Sequence, residues 1–308
     1  MGTQKLQKRN GQINIVLNNK IKENIEEPTH VYDAYDNPFS HIEKEFAPFI
    51  GLDHLKQTIK EIYATIVINQ RRNELGLKAN SQVLHMLFKG NPGTGKTTVA
   101  RKLAKLYFDM NLLSKGHFIE AERADLVGEY IGQTAQKTRA IIQKSMGGML
   151  FIDEAYSLGR GGEKDFGKEA IDTLVKHMED HHNDFVLVLA GYPNEMERFL
   201  MLNPGLKSRF PFILDFDDYN VNQLVEIAKQ MVTLREYELT KEAEWKLRNH
   251  LHHKIQQKER NFANARYVRN VMEQSIRKHA VRLLHARSYT TEDLIKLRGS
   301  DLCFDHGN

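Results

Sequence analysis

The stretch GNPGTGKT, Gly90 to Thr97, limits the possible folds of this chain more than any other feature. It matches the pattern G-x-x-x-x-G-K-S/T at every fixed position. An apolar run, VLHMLFKG, leads into it, and a helical pattern, TVARKLAKLYFDMNLL, follows it. A glycine-rich loop between a buried strand and a helix N-terminus directs backbone N–H groups and partial positive charge at phosphate. We therefore predict a nucleoside triphosphate site here.

The residues of this loop have separate expected roles. Lys96 reaches the β- and γ-phosphates, and the hydroxyl of Thr97 binds Mg²⁺. The remaining loop residues surround the phosphates with their backbone groups. The residues predicted to bind the nucleotide through this segment are Gly90, Asn91, Pro92, Gly93, Thr94, Gly95, Lys96, Thr97 and Thr98.

A second motif, GGMLFIDEA, ends an apolar run in two carboxylates, Asp153 and Glu154. Two adjacent carboxylates at the end of a buried strand are costly unless positive charge lies beside them, and a nucleotide-bound metal supplies that charge. We expect Asp153 to bind Mg²⁺, directly or through water. We expect Glu154 to orient and activate the attacking water.

Strand and helix patterns alternate through residues 45–216. The runs VLHMLFKG, HFIEAE, GMLFIDEA and DFVLVLAG are each followed by a helical pattern, which predicts an α/β domain with a parallel sheet covered on both faces. Successive helical patterns in residues 217–308 predict a small all-helical domain, with Trp245 in its core. Residues 1–44 are predicted to be an appendage or linker that begins with a short strand, INIVLNNKI.

Net charge, cysteine count and the length of the apolar runs argue against some classes of function. A net charge of +4, from 44 basic and 40 acidic residues, is spread along the chain and lacks the concentrated basic footprint of a nucleic-acid-binding protein. The single cysteine, Cys303, excludes an internal disulfide. The polar N-terminal residues and the short apolar runs predict a cytoplasmic protein with no membrane partner.

Taken together, the phosphate loop, the acidic pair, LNPGLKSRF and ANARYVRN resemble the AAA+ ATPases. The likeness covers about residue 45 to the end and is closest to the branch that includes red-type Rubisco activase and a bacterial sporulation protein. It implies that the helical domain is a lid, that ATP and Mg²⁺ bind between lid and sheet, and that the chain assembles into a homo-oligomeric ring, usually a hexamer. By the same likeness, Arg209 is the arginine finger that reaches a neighbour's γ-phosphate, and Arg266 is the lid arginine. Ile50 and Gly51 lie against the base or, alternatively, only begin a helix.

The stretch ADLVGEYIGQT matches the family's loop that faces the centre of the ring and grips a threaded polypeptide. The resemblance implies that Tyr130 contacts the client, with Glu129 and Ile131 beside it. Glycines on both sides are expected to give this loop mobility. The segment LGRGGEKDFG is either a second pore loop or a solvated connection.

The likeness leaves one catalytic position open. After the fourth predicted strand, where many family members have Asn or Thr to position the lytic water, the chain reads LAGYPNEM, so Tyr192 or Asn194 could serve. The expected function is ATP-driven remodelling of an unknown protein client, with a link to sporulation. A nucleotide-gated assembly scaffold and a nucleic-acid-acting loader are the alternatives.

Overall fold

The computed structural model describes residues 37–78, 83–160, 165–257 and 262–304. The predicted strand INIVLNNKI lies outside these residues, as does residue range 161–164 of the predicted second pore loop. The described chain from His41 onward forms one compact unit. Within the described residues, none of the helices has the length and apolar character needed to cross a membrane.

The elements alternate in the first two thirds of the chain and become mostly helical afterwards. The strands are β1 (Met86–Gly90), β2 (Phe118–Ala121), β3 (Met149–Ile152), β4 (Val186–Gly191), β5 (Phe212–Phe216), β6 (Glu238–Leu239) and β7 (Lys296–Leu297). The helices are α1 (Ser40–Phe46), α2 (Asp53–Glu74), α3 (Lys96–Asp109), α4 (Arg123–Leu126), α5 (Gln133–Ser145), α6 (Gly167–Asp180), α7 (Pro193–Leu202), α8 (Pro204–Lys207), α9 (Val221–Thr233), α10 (Lys241–Gln256), α11 (Asn264–His285) and α12 (Thr291–Ile295), with a 3₁₀ helix at Ala155–Gly159.

The first five strands form one parallel sheet in the order β2-β3-β4-β1-β5. Strands β3 and β4 are buried along their whole length because helices cover both faces of the sheet. This confirms the predicted fold class. The order brings the carboxyl ends of β3, β4 and β1 side by side, so the loops that follow these strands meet at one edge of the sheet.

Strand β5 is a fifth strand that the sequence patterns did not predict. Its side chains alternate, with Leu214 and Phe216 buried and Ile213 and Asp215 more exposed. Because it lies at the edge of the sheet, it lacks the continuous apolar run by which the buried strands were recognised.

The lid is built on α9, α10 and α11, which pack around a core that includes Leu224, Leu247 and Val268. The structure adds a short parallel pair, β6 and β7, to the predicted helical domain. The expectation that Trp245 belongs to the lid core is wrong, because 66% of this residue is exposed. Helix α10 turns Ala243, Leu247 and Leu251 inward instead.

Candidate functional site

An open cleft of about 1200 Å³ lies where the carboxyl ends of β1, β3 and β4 meet the lid. Its walls come from four parts of the chain that are far apart in sequence. From the sheet side it is lined by Pro92, Gly93, Gly95, Lys96, Thr97, Thr98, Lys102, Asp153, Glu154, Ser157, Gly191 and Tyr192, from the lid by Tyr219, Ile227, Gln230, Met231, Ala265, Arg266 and Arg269, from the segment before α2 by Pro48, Phe49 and Ile50, and from α4, the loop after it and α5 by Glu122, Arg123, Ala124, Val127, Glu129 and Lys137.

The phosphate loop turns directly into α3, whose first residue is Lys96. Lys96 is nearly buried, and its Nζ donates hydrogen bonds to the carbonyl oxygens of Gly90 and Asn91, at 2.8 and 2.9 Å. Burial lowers the pKa of this ammonium group, while the Asp153 carboxylate opposes that shift. A cation held inside a glycine-rich loop at a helix N-terminus is arranged to meet phosphate oxygens.

The acidic pair follows β3, which β4 separates from β1 in the sheet, and both carboxylates line the same cleft as Lys96. The Oδ1 atom of Asp153 accepts a hydrogen bond from the backbone N–H of Glu154, at 2.9 Å. Glu154 has φ 47° and ψ 42°, a left-handed conformation that is strained for a residue with a side chain. Thr97 and Asp153 line the same cleft and offer the oxygen ligands that Mg²⁺ prefers, so these residues fit the ion.

The two candidate residues for positioning the lytic water, Tyr192 and Asn194, lie in different places after β4. Tyr192 lines the cleft, whereas Asn194 is exposed and is not part of the described lining. The ring of Tyr192 stacks on that of Tyr156, with centroids 5.6 Å apart. Burial, and then the Glu154 carboxylate, raises the pKa of both phenols. The structure therefore brings Tyr192, and not Asn194, to the acidic pair.

The lid contributes more to this cleft than the sequence indicated. Arg266 lines it as expected, and Arg269, one helical turn further along α11, lines it as well. Ile227 and Met231 of α9 bring apolar surface to the cleft, as does Ile50, which packs against the same lid core, whereas Gly51 is not among the lining residues. Ile50 was predicted from the resemblance, whereas only the helical periodicity of α9 could have pointed to Ile227 and Met231.

A hydrogen-bonded network joins the lid to the phosphate loop. Asn264 is fully buried with φ 43°, and its Nδ2 lies 2.7 Å from Asp218 Oδ1 and 3.4 Å from the carbonyl of Pro92. Its Oδ1 accepts from the backbone N–H of Tyr219, at 2.9 Å. The Asn91 amide donates to both oxygens of Asp218. The first turn of α11 is thus tied to the loop that meets phosphate.

The approach of α11 is so close that it requires glycine at position 93. Gly93 has φ 71°, and a Cβ atom built there would lie 2.2 Å from the carbonyl oxygen of Ala263. The backbone N–H of Ala265 donates to the Gly93 carbonyl, at 3.2 Å. Any side chain at position 93 would push the lid off the loop.

Arg209 lies outside the described lining of this cleft. Its guanidinium group contacts the carboxylate of Glu179 on α6 and the carbonyl of Gly205. The structure therefore keeps this arginine away from the nucleotide cleft of its own chain.

The loop between α4 and α5 presents two apolar side chains to solvent, since Tyr130 is 68% exposed and Ile131 is 89% exposed. Its ends are fixed on α5. The N–H of Gly128 donates to Thr134 Oγ1 at 2.9 Å, and Thr138 Oγ1 donates to the carbonyl of Leu126 at 3.1 Å. Exposed apolar side chains at the tip of a loop whose ends are fixed are better placed to contact another molecule than to pack in the core of this chain.

Two other residues of this loop have defined positions. Gly132 is the N-cap of α5 with φ 83°, a left-handed conformation that favours glycine. Glu129 is exposed and also lines the nucleotide cleft.

Comparison with known proteins agrees with this geometry. Residues 86–218 match the ATPase family associated with various cellular activities (AAA), and residues 220–308 match the AAA lid domain. The chain is 59% identical over 304 residues to stage V sporulation protein K of Bacillus subtilis (strain 168), which covers 96% of this chain and 94% of that protein. It is 42% identical over 256 residues to the chloroplastic ribulose bisphosphate carboxylase/oxygenase activase of Cyanidioschyzon merolae (strain NIES-3377 / 10D), covering 82% and 87% of the two chains.

A solved structure of the RuvB Holliday junction branch migration motor of Thermotoga maritima shares the fold, with a TM-score of 0.51. The match covers 80% of this chain and 68% of that chain at 23% identity, so it supports the architecture alone.

Proposed function

This chain is a member of the AAA ATPases, and from that premise we propose that it assembles into a homo-oligomeric ring that uses ATP hydrolysis to remodel a client polypeptide. Three features support the proposal. The cleft brings Lys96, Asp153 and Glu154 together, Arg209 lies outside the lining of its own cleft, and a loop that presents exposed Tyr130 and Ile131 is anchored on α5.

Within one subunit, the chain supplies most of the groups for phosphoryl transfer. Lys96 binds the β- and γ-phosphate oxygens, and Thr97 and Asp153 would hold Mg²⁺. Bound ATP with Mg²⁺ supplies the γ-phosphoryl group and the charge that neutralises its oxygens. Glu154 accepts the proton of the attacking water, and Tyr192 positions that water from the next strand. Arg266 and Arg269 bring positive charge from the lid.

The second subunit contributes Arg209. A guanidinium group at the γ-phosphate stabilises charge that develops in the transition state. Arg209 lies outside the lining of its own cleft. In the proposed ring it acts on the cleft of a neighbouring copy. Hydrolysis then depends on assembly, which couples the state of each subunit to that of the next.

The observation that carries the client-remodelling proposal is the exposure of Tyr130 and Ile131 at the tip of an anchored loop. An aromatic ring and a branched aliphatic chain contact any polypeptide through packing, without a requirement for sequence. This favours a protein client over nucleic acid, for which a loop of basic side chains would be expected.

The experiment that tests this is the steady-state ATPase rate with no addition, with casein as an unfolded protein, and with single-stranded DNA. We expect casein to stimulate hydrolysis and Tyr130→Ala to reduce the ratio of stimulated to unstimulated rate to about 1, because the side chain that contacts the client is gone. Arg235→Ala, an exposed lid substitution, is the matched control. Stimulation by DNA alone, or unaltered stimulation of Tyr130→Ala, would contradict the proposal.

We infer a role in sporulation from the likeness to stage V sporulation protein K. A Bacillus subtilis strain that lacks that protein should regain heat-resistant spores when it expresses this chain. The Lys96→Ala variant, expressed at the same level, should not restore them. Equal recovery with both would show that nucleotide-driven work is not what the spore requires.

A further inference from the structure

Arg123 joins two segments that are far apart in sequence. Its Nη1 donates to the carbonyl of Ser157 at 2.6 Å, and its Nη2 donates to Asp165 Oδ1 at 2.5 Å. The Asp165 side chain is only 10% exposed, and the same oxygen accepts from the N–H of Gly167 at the start of α6. The planar guanidinium group therefore bridges two fixed acceptors in one rigid fork.

Both acceptors belong to the part of the chain that follows the catalytic glutamate. Ser157 lies in the 3₁₀ helix after Glu154, and its N–H donates to the Glu154 carbonyl at 2.8 Å. A change in the strained backbone of Glu154 has a direct hydrogen-bonded path to the acceptor of Arg123.

On its other side, Arg123 begins α4, the four-residue helix that leads into the exposed loop. Glu122 and Asp125 close this helix with reciprocal hydrogen bonds to backbone N–H groups. The fully buried Leu126 fixes its last turn. Four residues separate Leu126 from Ile131, so α4 and the loop tip are adjacent parts of one short segment.

We propose that Arg123, through its bridge to Ser157 and Asp165, is a positioning residue that transmits the nucleotide state of the Glu154 segment to the Tyr130 loop. The inference deepens the proposed function, because it assigns the route by which hydrolysis moves the client-binding loop. Breaking the bridge separates ATP binding from loop movement, whereas a purely structural role would change only folding stability.

The test uses a single tryptophan as a reporter of the loop. Trp245→Phe removes the chain's one tryptophan, which is exposed on the lid, and Tyr130→Trp places a new one at the loop tip. Acrylamide quenching of this fluorophore is measured with and without ATPγS and Mg²⁺. ATPγS affinity is measured in parallel by competition with a fluorescent ATP analogue.

We expect ATPγS to change the quenching constant of the parent reporter by about twofold. Arg123→Gln and the isosteric Asp165→Asn should each remove at least about half of that change, with ATPγS affinity altered by less than about threefold. Arg101→Gln, which breaks an exposed ion pair with Glu120 at 3.3 Å, is the control and should leave the change intact.

An equal response in the bridge variants and the parent would overturn the proposal, as would a parent reporter that does not respond to ATPγS. Casein stimulation of ATP hydrolysis by the unmodified chain separates failure of the Arg123 proposal from failure of the proposed function. If casein stimulates hydrolysis but the loop does not respond to ATPγS, only the proposed role of Arg123 is wrong. If the loop response depends on the bridge but casein does not stimulate hydrolysis, the proposed protein client is wrong and the role of Arg123 stands.

Discussion

The guanidinium group of Arg209 lies against the carboxylate of Glu179 in the same chain, with Arg209 Nε 3.0 Å from Glu179 Oε1. The side chain also donates to the carbonyl of Gly205. In the proposed ring, Arg209 would exchange these contacts for the phosphate oxygens of a nucleotide in a neighbouring subunit. Glu179 thus holds the Arg209 side chain in a defined position within its own chain.

Replacing this arginine should slow hydrolysis strongly. Arg209→Ala is expected to lower kcat by about 10³-fold while ATP affinity changes little, because the guanidinium group acts on transition-state charge. Glu179→Gln is the matched control. It frees Arg209 without removing it, so its rate should be no lower than that of the unmodified chain. Steady-state rates and nucleotide titrations measure both quantities.

A mixing experiment shows whether Arg209 acts on another subunit. Arg209→Ala keeps an intact cleft, and Lys96→Ala keeps an intact arginine. Each is expected to be inactive alone, whereas in an equal mixture about one interface in four combines both functional halves and regains activity. Absence of recovery would place the action of Arg209 within its own chain or remove it from catalysis.

The phosphate loop and the acidic pair were predictable because each is a contiguous motif with short spacing, set between a strand and a helix. Local hydrogen bonding and helix geometry then determine where Lys96 and Asp153 point. Tyr192 and Asn194 could not be separated by sequence, because the choice depends on which side chain the turn after β4 directs into the cleft.

Residues whose partners lie far along the chain were missed. Asn264 and Asp218 are 46 positions apart, and Arg123 and Asp165 are 42 apart. Neither periodicity nor a motif indicates such pairs, since they form only once distant parts of the chain have packed together. The left-handed backbone of Glu154 could not be predicted either, because nothing in the sequence of residues 152–155 distinguishes this segment from an ordinary turn.

Glu154→Gln should separate nucleotide binding from cleavage. The amide keeps the size of the carboxylate but cannot accept the water's proton, so we expect hydrolysis to fall by at least about 100-fold with ATP still bound. Light scattering with and without ATP and Mg²⁺ then reports assembly, and a shift to a ring-sized mass is expected. Lys96→Ala is the control and should bind no ATP. Loss of ATP binding by Glu154→Gln itself would contradict the role of Glu154.

Asn264→Ala should weaken both the fold and the nucleotide site. It leaves the Tyr219 N–H and the Asp218 carboxylate without their buried partner, which costs roughly 1–3 kcal/mol of unfolding free energy. ATP affinity should fall as well, because the lid is no longer tied to the phosphate loop. Urea unfolding and nucleotide titration measure the two effects. Asn222→Ala, at an exposed position that accepts a hydrogen bond from Arg248, should change neither.

A buried histidine makes the stability of the sheet depend on pH. His85 is 1% exposed at the entry to β1, and its Nδ1 accepts a hydrogen bond from the backbone N–H of Leu187 at 3.0 Å. The ring packs against Phe185 and Phe210. Burial lowers the pKa of His85 from 6.5 to about 4, and a proton on Nδ1 would also abolish the bond to Leu187.

Because the folded-state pKa lies below the unfolded value, the unfolded chain binds more protons between these two pH values, and stability falls as pH drops through that window. His85 alone should reduce the unfolding free energy by about 1.4 kcal/mol between about pH 7.5 and 5.5. The glutamine of His85→Gln keeps a hydrogen-bond acceptor but does not titrate. The unfolding free energy of this variant should therefore fall less between about pH 7.5 and 5.5, by the amount that His85 contributes. Urea unfolding of both proteins at several pH values measures the difference. Parallel curves would show that His85 has the same pKa in the folded and the unfolded chain, which would contradict this prediction.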